Sequence, residues 1–110
     1  LCDYKDYFAL THWPAEPILK AAAEKGMPEE ELYKVLSYFD VKNFTDRIKC
    51  PVLMAIGLQD VTCPPHTNFA AYNNIKTEKS WICYPEAGHN VWQQQAWEPA
   101  KQQFFNSKYN

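Results

Sequence analysis

With 110 residues the chain is one domain at most, and a content of 46% hydrophobic and 15% aromatic residues is enough for a small core and excludes a disordered tail. Eleven basic against 13 acidic residues leave a net charge of −2, so no basic footprint points to nucleic acid or an anionic membrane, and no apolar stretch is long enough to span a bilayer. The chain opens on Leu1 rather than Met, so its true amino terminus is expected to be cut away, and the lack of a visible leader leaves the compartment unassigned.

Residues 14–25 carry Ile18, Leu19, Ala22 and Ala23 at helical spacing, with Gly26 placed as a helix stop. Pro28-Glu29-Glu30-Glu31 then forms an acidic first turn, favourable near the positive end of a helix dipole. It leads into Leu32, Val35, Leu36 and Phe39, which predicts a second helix to about Phe39. Asp40 is positioned to cap a further short helix through Phe44, and Pro51 is tolerated as the first residue of a strand.

From Pro51 the pattern changes to continuous apolar runs, as expected for strands buried on both faces. The first run, Val52-Leu53-Met54-Ala55-Ile56, breaks at Gly57-Leu58-Gln59-Asp60. Pro64-Pro65 opens a helix predicted through Asn74, and the second run, Ser80-Trp81-Ile82-Cys83-Tyr84, breaks at Gly88-His89-Asn90. Strand, helix, strand in that order implies parallel pairing through a right-handed crossover. A final helix is predicted over about residues 91–105, presenting Val91, Trp92, Ala96 and Trp97 to the sheet, with the two tryptophans read as core.

Residues 1–49 therefore read as mainly helical and residues 50–110 as strand-helix-strand-helix, an α/β arrangement with an incomplete sheet. Two parallel strands do not make a stable sheet, so the neighbours of residues 52–56 are expected outside this chain. Cys2, Cys50, Cys63 and Cys83 lack Cys-x-x-Cys spacing and His12, His66 and His89 lack a ligand pattern, so no metal site is expected. Cys50 and Cys83, flanking or inside the strands, read as small buried hydrophobes. His66, in the first turn of a helix, reads as a surface residue.

Function in open α/β sheets collects outside the carboxyl ends of the strands, where loops converge. Asp60 and His89 both fall at that edge, each near one of the chain's three glycines. An acid that holds an imidazole, followed by the His itself, is the second and third part of the triad order nucleophile, acid, His in α/β-hydrolases. Yet Ser37, Ser80 and Ser107 are the only serines, and none stands in a Gly-x-Ser-x-Gly turn. Cys63 follows the acid, which is the wrong order for a nucleophile. The chain reads as a carboxy-terminal piece of a hydrolase carrying Asp60 and His89 and lacking its serine, inactive by itself.

The run from Tyr38 to Phe44, then Arg47-Ile48-Lys49-Cys50-Pro51-Val52-Leu53-Met54, Gly57-Leu58-Gln59-Asp60, Cys63-Pro64-Pro65-His66-Thr67-Asn68-Phe69-Ala70, Tyr84-Pro85 and Gly88-His89 resembles the acetyl xylan esterase and cephalosporin C deacetylase family. The opening Leu1-Cys2-Asp3-Tyr4 is similar to that family just past a strand that follows the nucleophile turn. The resemblance implies an α/β-hydrolase that removes acetyl groups from xylan, xylo-oligosaccharides or the acetyl ester of a cephalosporin, with Asp60 as triad acid, His89 as general base and no cofactor. The family's serine turn and its upstream Arg-Gly-Gln segment have no counterpart here, and Asn90 stands where the family usually has Glu. The same order of Asp and His occurs in dienelactone hydrolases and prolyl-type peptidases. A different class of reading is a non-catalytic binding or assembly module that docks through its open sheet edge. That edge also predicts a homo-oligomer, with an acetylated saccharide or small acetyl ester as the other partner.

Overall fold

The computed structural model describes residues 2–109; Leu1, the first residue of the opening run, and Asn110 lie outside them. Helix α1 (Tyr4–Leu10) opens the chain and has no counterpart among the elements predicted above. Its cap is remote: Asp40, 3% exposed, accepts the backbone N–H groups of Asp3 at 2.9 Å and Tyr4 at 3.1 Å, besides that of Lys42 at 3.1 Å. One buried carboxylate thus starts both α1 and the 3₁₀ turn Val41–Asn43.

Helix α2 (Ala15–Glu24) ends as expected at Gly26, whose φ of +68° suits the left-handed position after a helix. The N–H groups of Gly26 and Met27 return to the carbonyls of Ala23 and Ala22, both at 2.9 Å. Helix α3 (Glu29–Ser37) stops two residues before the expected Phe39. Tyr38 and Phe39 close it with tight turns to Val35 and Leu36, and Asp40 is then extended to reach its amides. Tyr7, Phe8 and Ala15 form the buried centre where α1, α2 and α3 meet, with Ile18, Leu19, Tyr33 and Leu36 packed against it.

Strand β1 (Val52–Gly57) pairs in parallel with β2 (Lys79–Tyr84), in register from Val52 opposite Lys79 to Gly57 opposite Tyr84. Between them runs α4 (Pro65–Asn74), which starts at the predicted proline. Its Phe69 ring meets Trp81 edge-on at 5.4 Å. Expected burial on both strand faces is not met: residues 52–55 are half-buried and Trp81 is 49% exposed, because the described sheet has only these two strands. Cys50 is likewise exposed rather than buried, and all four thiols are free.

The last helix departs most from expectation. A 3₁₀ turn covers Val91–Gln93, and α5 (Trp97–Tyr109) begins only at Trp97. Pro99 is the reason. In a helix running from residue 91 its ring would collide with the carbonyl of Gln95 and no N–H could bond there, whereas in a first turn proline is tolerated. Trp92 and Ala96 consequently leave the sheet and are exposed, while Trp97 stays half-buried. The helical and sheet portions are tied together by Tyr7, whose hydroxyl donates to the Thr62 carbonyl at 3.1 Å, and by Thr45, which donates to Ala71 at 2.8 Å.

Candidate active site

The loops that leave β1 and β2 are bonded to each other. Leu58 N–H donates to the Tyr84 carbonyl at 3.2 Å and Gln59 N–H to Ala87 at 3.0 Å. Their approach is so close that a Cβ on Gly57 would lie 2.3 Å from the Gly88 carbonyl oxygen and 2.4 Å from that of Ala87. Glycine at position 57 is therefore a packing requirement, and it sets the β2 loop against the β1 loop.

Asp60 sits one turn past β1, its N–H returning to the Gly57 carbonyl at 3.3 Å. The side chain is 8% exposed. Oδ1 accepts the N–H groups of Thr62 at 2.9 Å and Cys63 at 2.8 Å, the local turn chemistry of an aspartate. Oδ2 faces His89 Nδ1 at 2.9 Å. A carboxylate can only accept, so it selects the tautomer with hydrogen on Nδ1 and leaves Nε2 with a lone pair for a proton. The two residues that the sequence places on successive strand ends are thus brought into direct contact, with His89 half-exposed and Asp60 buried beneath it.

Trp92, on the turn that follows, stands edge-on to the His89 ring at 6.1 Å between centroids. Reading it as core missed this place; its position three residues after His89 was the available signal. Cys63 contributes its backbone to Asp60. Burial, with the Asp60 charge adding to it, pushes the Cys63 thiol pKa up, opposite to what a thiolate nucleophile needs. Ser37 and Ser107 donate to carbonyls of their own helices, and Ser80 lies at the opposite end of β2 from His89.

His66 lies away from this pair, on the surface, with Nε2 2.6 Å from Asp6 and 3.8 Å from Asp3. Ligand atoms of Asp3, Asp6 and His66 fall within 4.8 Å of one another, a grouping that spacing along the chain does not reveal because His66 is 60 residues from Asp6. Lys42 already occupies Asp3, so the cluster reads as a hydrogen-bonded tie between α1 and α4 through Asp6 and His66.

The family model for acetyl xylan esterase (AXE1) matches residues 1–109. An acetyl esterase, Axe7A, of Xylanibacter ruminicola is 37% identical over 65 residues, 59% of this chain and 15% of that protein. Acetyl xylan esterase 1 from Thermoanaerobacterium sp. JW/SL YS485 superposes with a TM-score of 0.85 at 36% identity, covering 100% of this chain and 36% of that one. An acetyl xylan esterase from Paenibacillus sp. R4 gives 0.85 at 36% identity, covering 98% and 35%. The chain thus spans a minor part of each relative's length, and its two parallel strands with flanking helices form a partial α/β-hydrolase fold.

Proposed function

This chain belongs to the acetyl xylan esterase family, and from that premise we propose that it supplies the acid and the general base, Asp60 and His89, of a serine carbohydrate esterase acting on acetylated xylan, xylo-oligosaccharides or small acetyl esters. The observation that carries the reading is the 2.9 Å contact of His89 Nδ1 with Asp60 Oδ2 at adjoining strand ends. The family match over residues 1–109 favours an esterase over a dienelactone hydrolase, a prolyl-type peptidase or a binding module. In this proposal the 110 residues are one carboxy-terminal portion of a single hydrolase domain, and the serine and the oxyanion donors stand on an upstream segment of the complete hydrolase.

His89 Nε2 takes the serine proton as the serine oxygen bonds to the acetyl carbon, and Asp60 stabilises the imidazolium that forms. The imidazolium returns that proton to the sugar oxygen as the ester C–O bond breaks, which leaves an acetyl-enzyme and a free alcohol. Water repeats the sequence, giving acetate and the free serine. No metal or organic cofactor has a step in this cycle. Acetate release from acetylated xylan by the complete hydrolase, set beside the 110-residue chain alone, tests the proposal. The complete hydrolase should turn over and the chain alone should match background, since a base and its acid provide neither nucleophile nor oxyanion site. Turnover by the chain alone that disappeared in Cys63→Ala would overturn the serine reading.

A further inference from the structure

The contact of Asp60 with Nδ1 fixes which side of the imidazole does chemistry. In the proposed cycle the departing alcohol oxygen must come within about 3 Å of His89 Nε2 to receive its proton. Whatever is attached to that oxygen therefore lies beside the His89 ring. The acetyl group, by contrast, lies toward the nucleophile.

Trp92 stands beside this ring. Its ring is 6.1 Å from that of His89, and within the 110-residue chain the residue is 59% exposed, in contrast to the half-buried Trp97. The turn that presents it is built on His89 itself: Val91 N–H donates to the His89 carbonyl at 3.1 Å, Gln93 N–H to Asn90 at 3.1 Å and Gln94 N–H to Val91 at 3.0 Å. An indole on such a frame loses little freedom when a ligand stacks on it, so its contact area converts efficiently into binding. A single exposed apolar residue is ordinary on a protein surface. What distinguishes this one is its place at the general base and the constraint of its turn. Trp13, more exposed still, has no such neighbour among the ring contacts of the described residues.

From this juxtaposition the geometry points to Trp92 as the wall of the alcohol subsite, a specificity-determining residue that stacks on the apolar C–H face of the sugar bearing the acetyl group. The inference rests on the esterase reading of Asp60 and His89 and adds the identity of the leaving-group contact. An aromatic face carries negative charge density and a pyranose face carries polarised C–H groups, so the two are complementary in shape and in charge. A flat sugar gains from this wall. A two-carbon alcohol is too small to cover it. The contact exists before and during the reaction, so it acts on binding more than on the chemical step.

The test uses the complete hydrolase, with acetylated xylobiose and ethyl acetate assayed separately by pH-stat. Trp92→Ala should lower the ratio of kcat/KM for acetylated xylobiose over ethyl acetate about tenfold, the size of one good apolar contact of about 1.4 kcal/mol, with the loss falling mainly in KM. Trp92→Phe, which keeps an aromatic face, should restore most of that ratio. An unchanged ratio in Trp92→Ala would overturn the inference. If both substrates lost kcat equally, Trp92 would be holding the His89 ring, and a lower melting temperature with the ratio intact would make it a packing residue; either result also overturns it. A wild-type enzyme that cleaved ethyl acetate but no sugar acetate would defeat the subsite while leaving the esterase reading standing. Inactivity toward both would defeat the esterase reading first.

Discussion

Replacing Gly57 by alanine tests whether the end of β1 sets the position of His89, the proposed general base. The added Cβ would meet the Gly88 carbonyl oxygen at 2.3 Å and the Ala87 carbonyl oxygen at 2.4 Å, both backbone atoms that no rotamer change can move. Bringing the shorter contact out to 3.0 Å requires the 87–88 backbone to retreat by about 0.7 Å, and His89 is the next residue. A shift of that size is enough to carry the 2.9 Å His89–Asp60 contact out of hydrogen-bond range. Overpacking of this kind costs about 1–3 kcal/mol, and misplacing a catalytic group by about 1 Å can lower a rate about 100-fold. Urea denaturation measures the first effect, and kcat of the complete hydrolase on an acetate ester measures the second. Gly88→Ala is the matched control, since its Cβ would find only the Gln59 carbonyl oxygen at 3.7 Å, an ordinary contact. Gly26→Ala should lose about 1–2 kcal/mol from its φ of +68° without touching kcat. A Gly57→Ala protein as stable and as active as Gly88→Ala would refute the reasoning.

Asp40→Ala should destabilise the fold by at least about 2 kcal/mol in chemical denaturation, because three backbone N–H groups lose their acceptor at once; a loss under about 0.5 kcal/mol would mean that α1 needs no remote cap. Burial raises the pKa of both the Cys2 thiol and the Tyr7 hydroxyl, so the folded protein holds protons that the unfolded chain gives up at the ordinary values of 9.0 and 10.0. Stability from these groups is whole below pH 9 and declines as pH rises through the raised values, so the melting temperature should fall above pH 9, and fall less in Cys2→Ala, where the raised Cys63 thiol remains; a flat profile to pH 10.5 would contradict this. The 110-residue chain alone should self-associate, since β1 and β2 form the whole described sheet and Trp81 is 49% exposed. Burying a few hundred Å² at about 25 cal/mol per Å² favours a dimer, and light scattering that shows a monomer at tens of micromolar would argue against it.

Local pattern made α2, α3, β1, α4 and β2 legible, each from period, proline or glycine within its own segment. The Pro64-Pro65 start of α4 and the Gly26 stop of α2 are determined by neighbours one or two residues away. Helix α1 escaped the same reading because its cap, Asp40, lies 37 residues along the chain from the Asp3 amide it binds. The start of α5 is readable from Pro99 rather than from apolar spacing: the spacing suggests residue 91, while Pro99 restricts the helix to a start near Trp97. For the candidate site, the glycines at the strand breaks were enough to place Asp60 and His89 at adjoining strand ends, since turn chemistry and strand order are local. The details that orient the pair, the Thr62 and Cys63 amides on Oδ1 and the carbonyls against Gly57, needed three-dimensional packing. So did the exposure of Trp92, which depends on where α5 begins.

Removing the imidazole tests the central claim, that Asp60 and His89 work as acid and general base, most directly. His89→Ala in the complete hydrolase, followed on an acetate ester by stopped flow, should lose kcat by at least on the order of 10³-fold with KM little changed, and added imidazole should restore part of the rate. A His89→Ala enzyme that kept kcat within about tenfold of wild type, with no response to imidazole, would contradict the account.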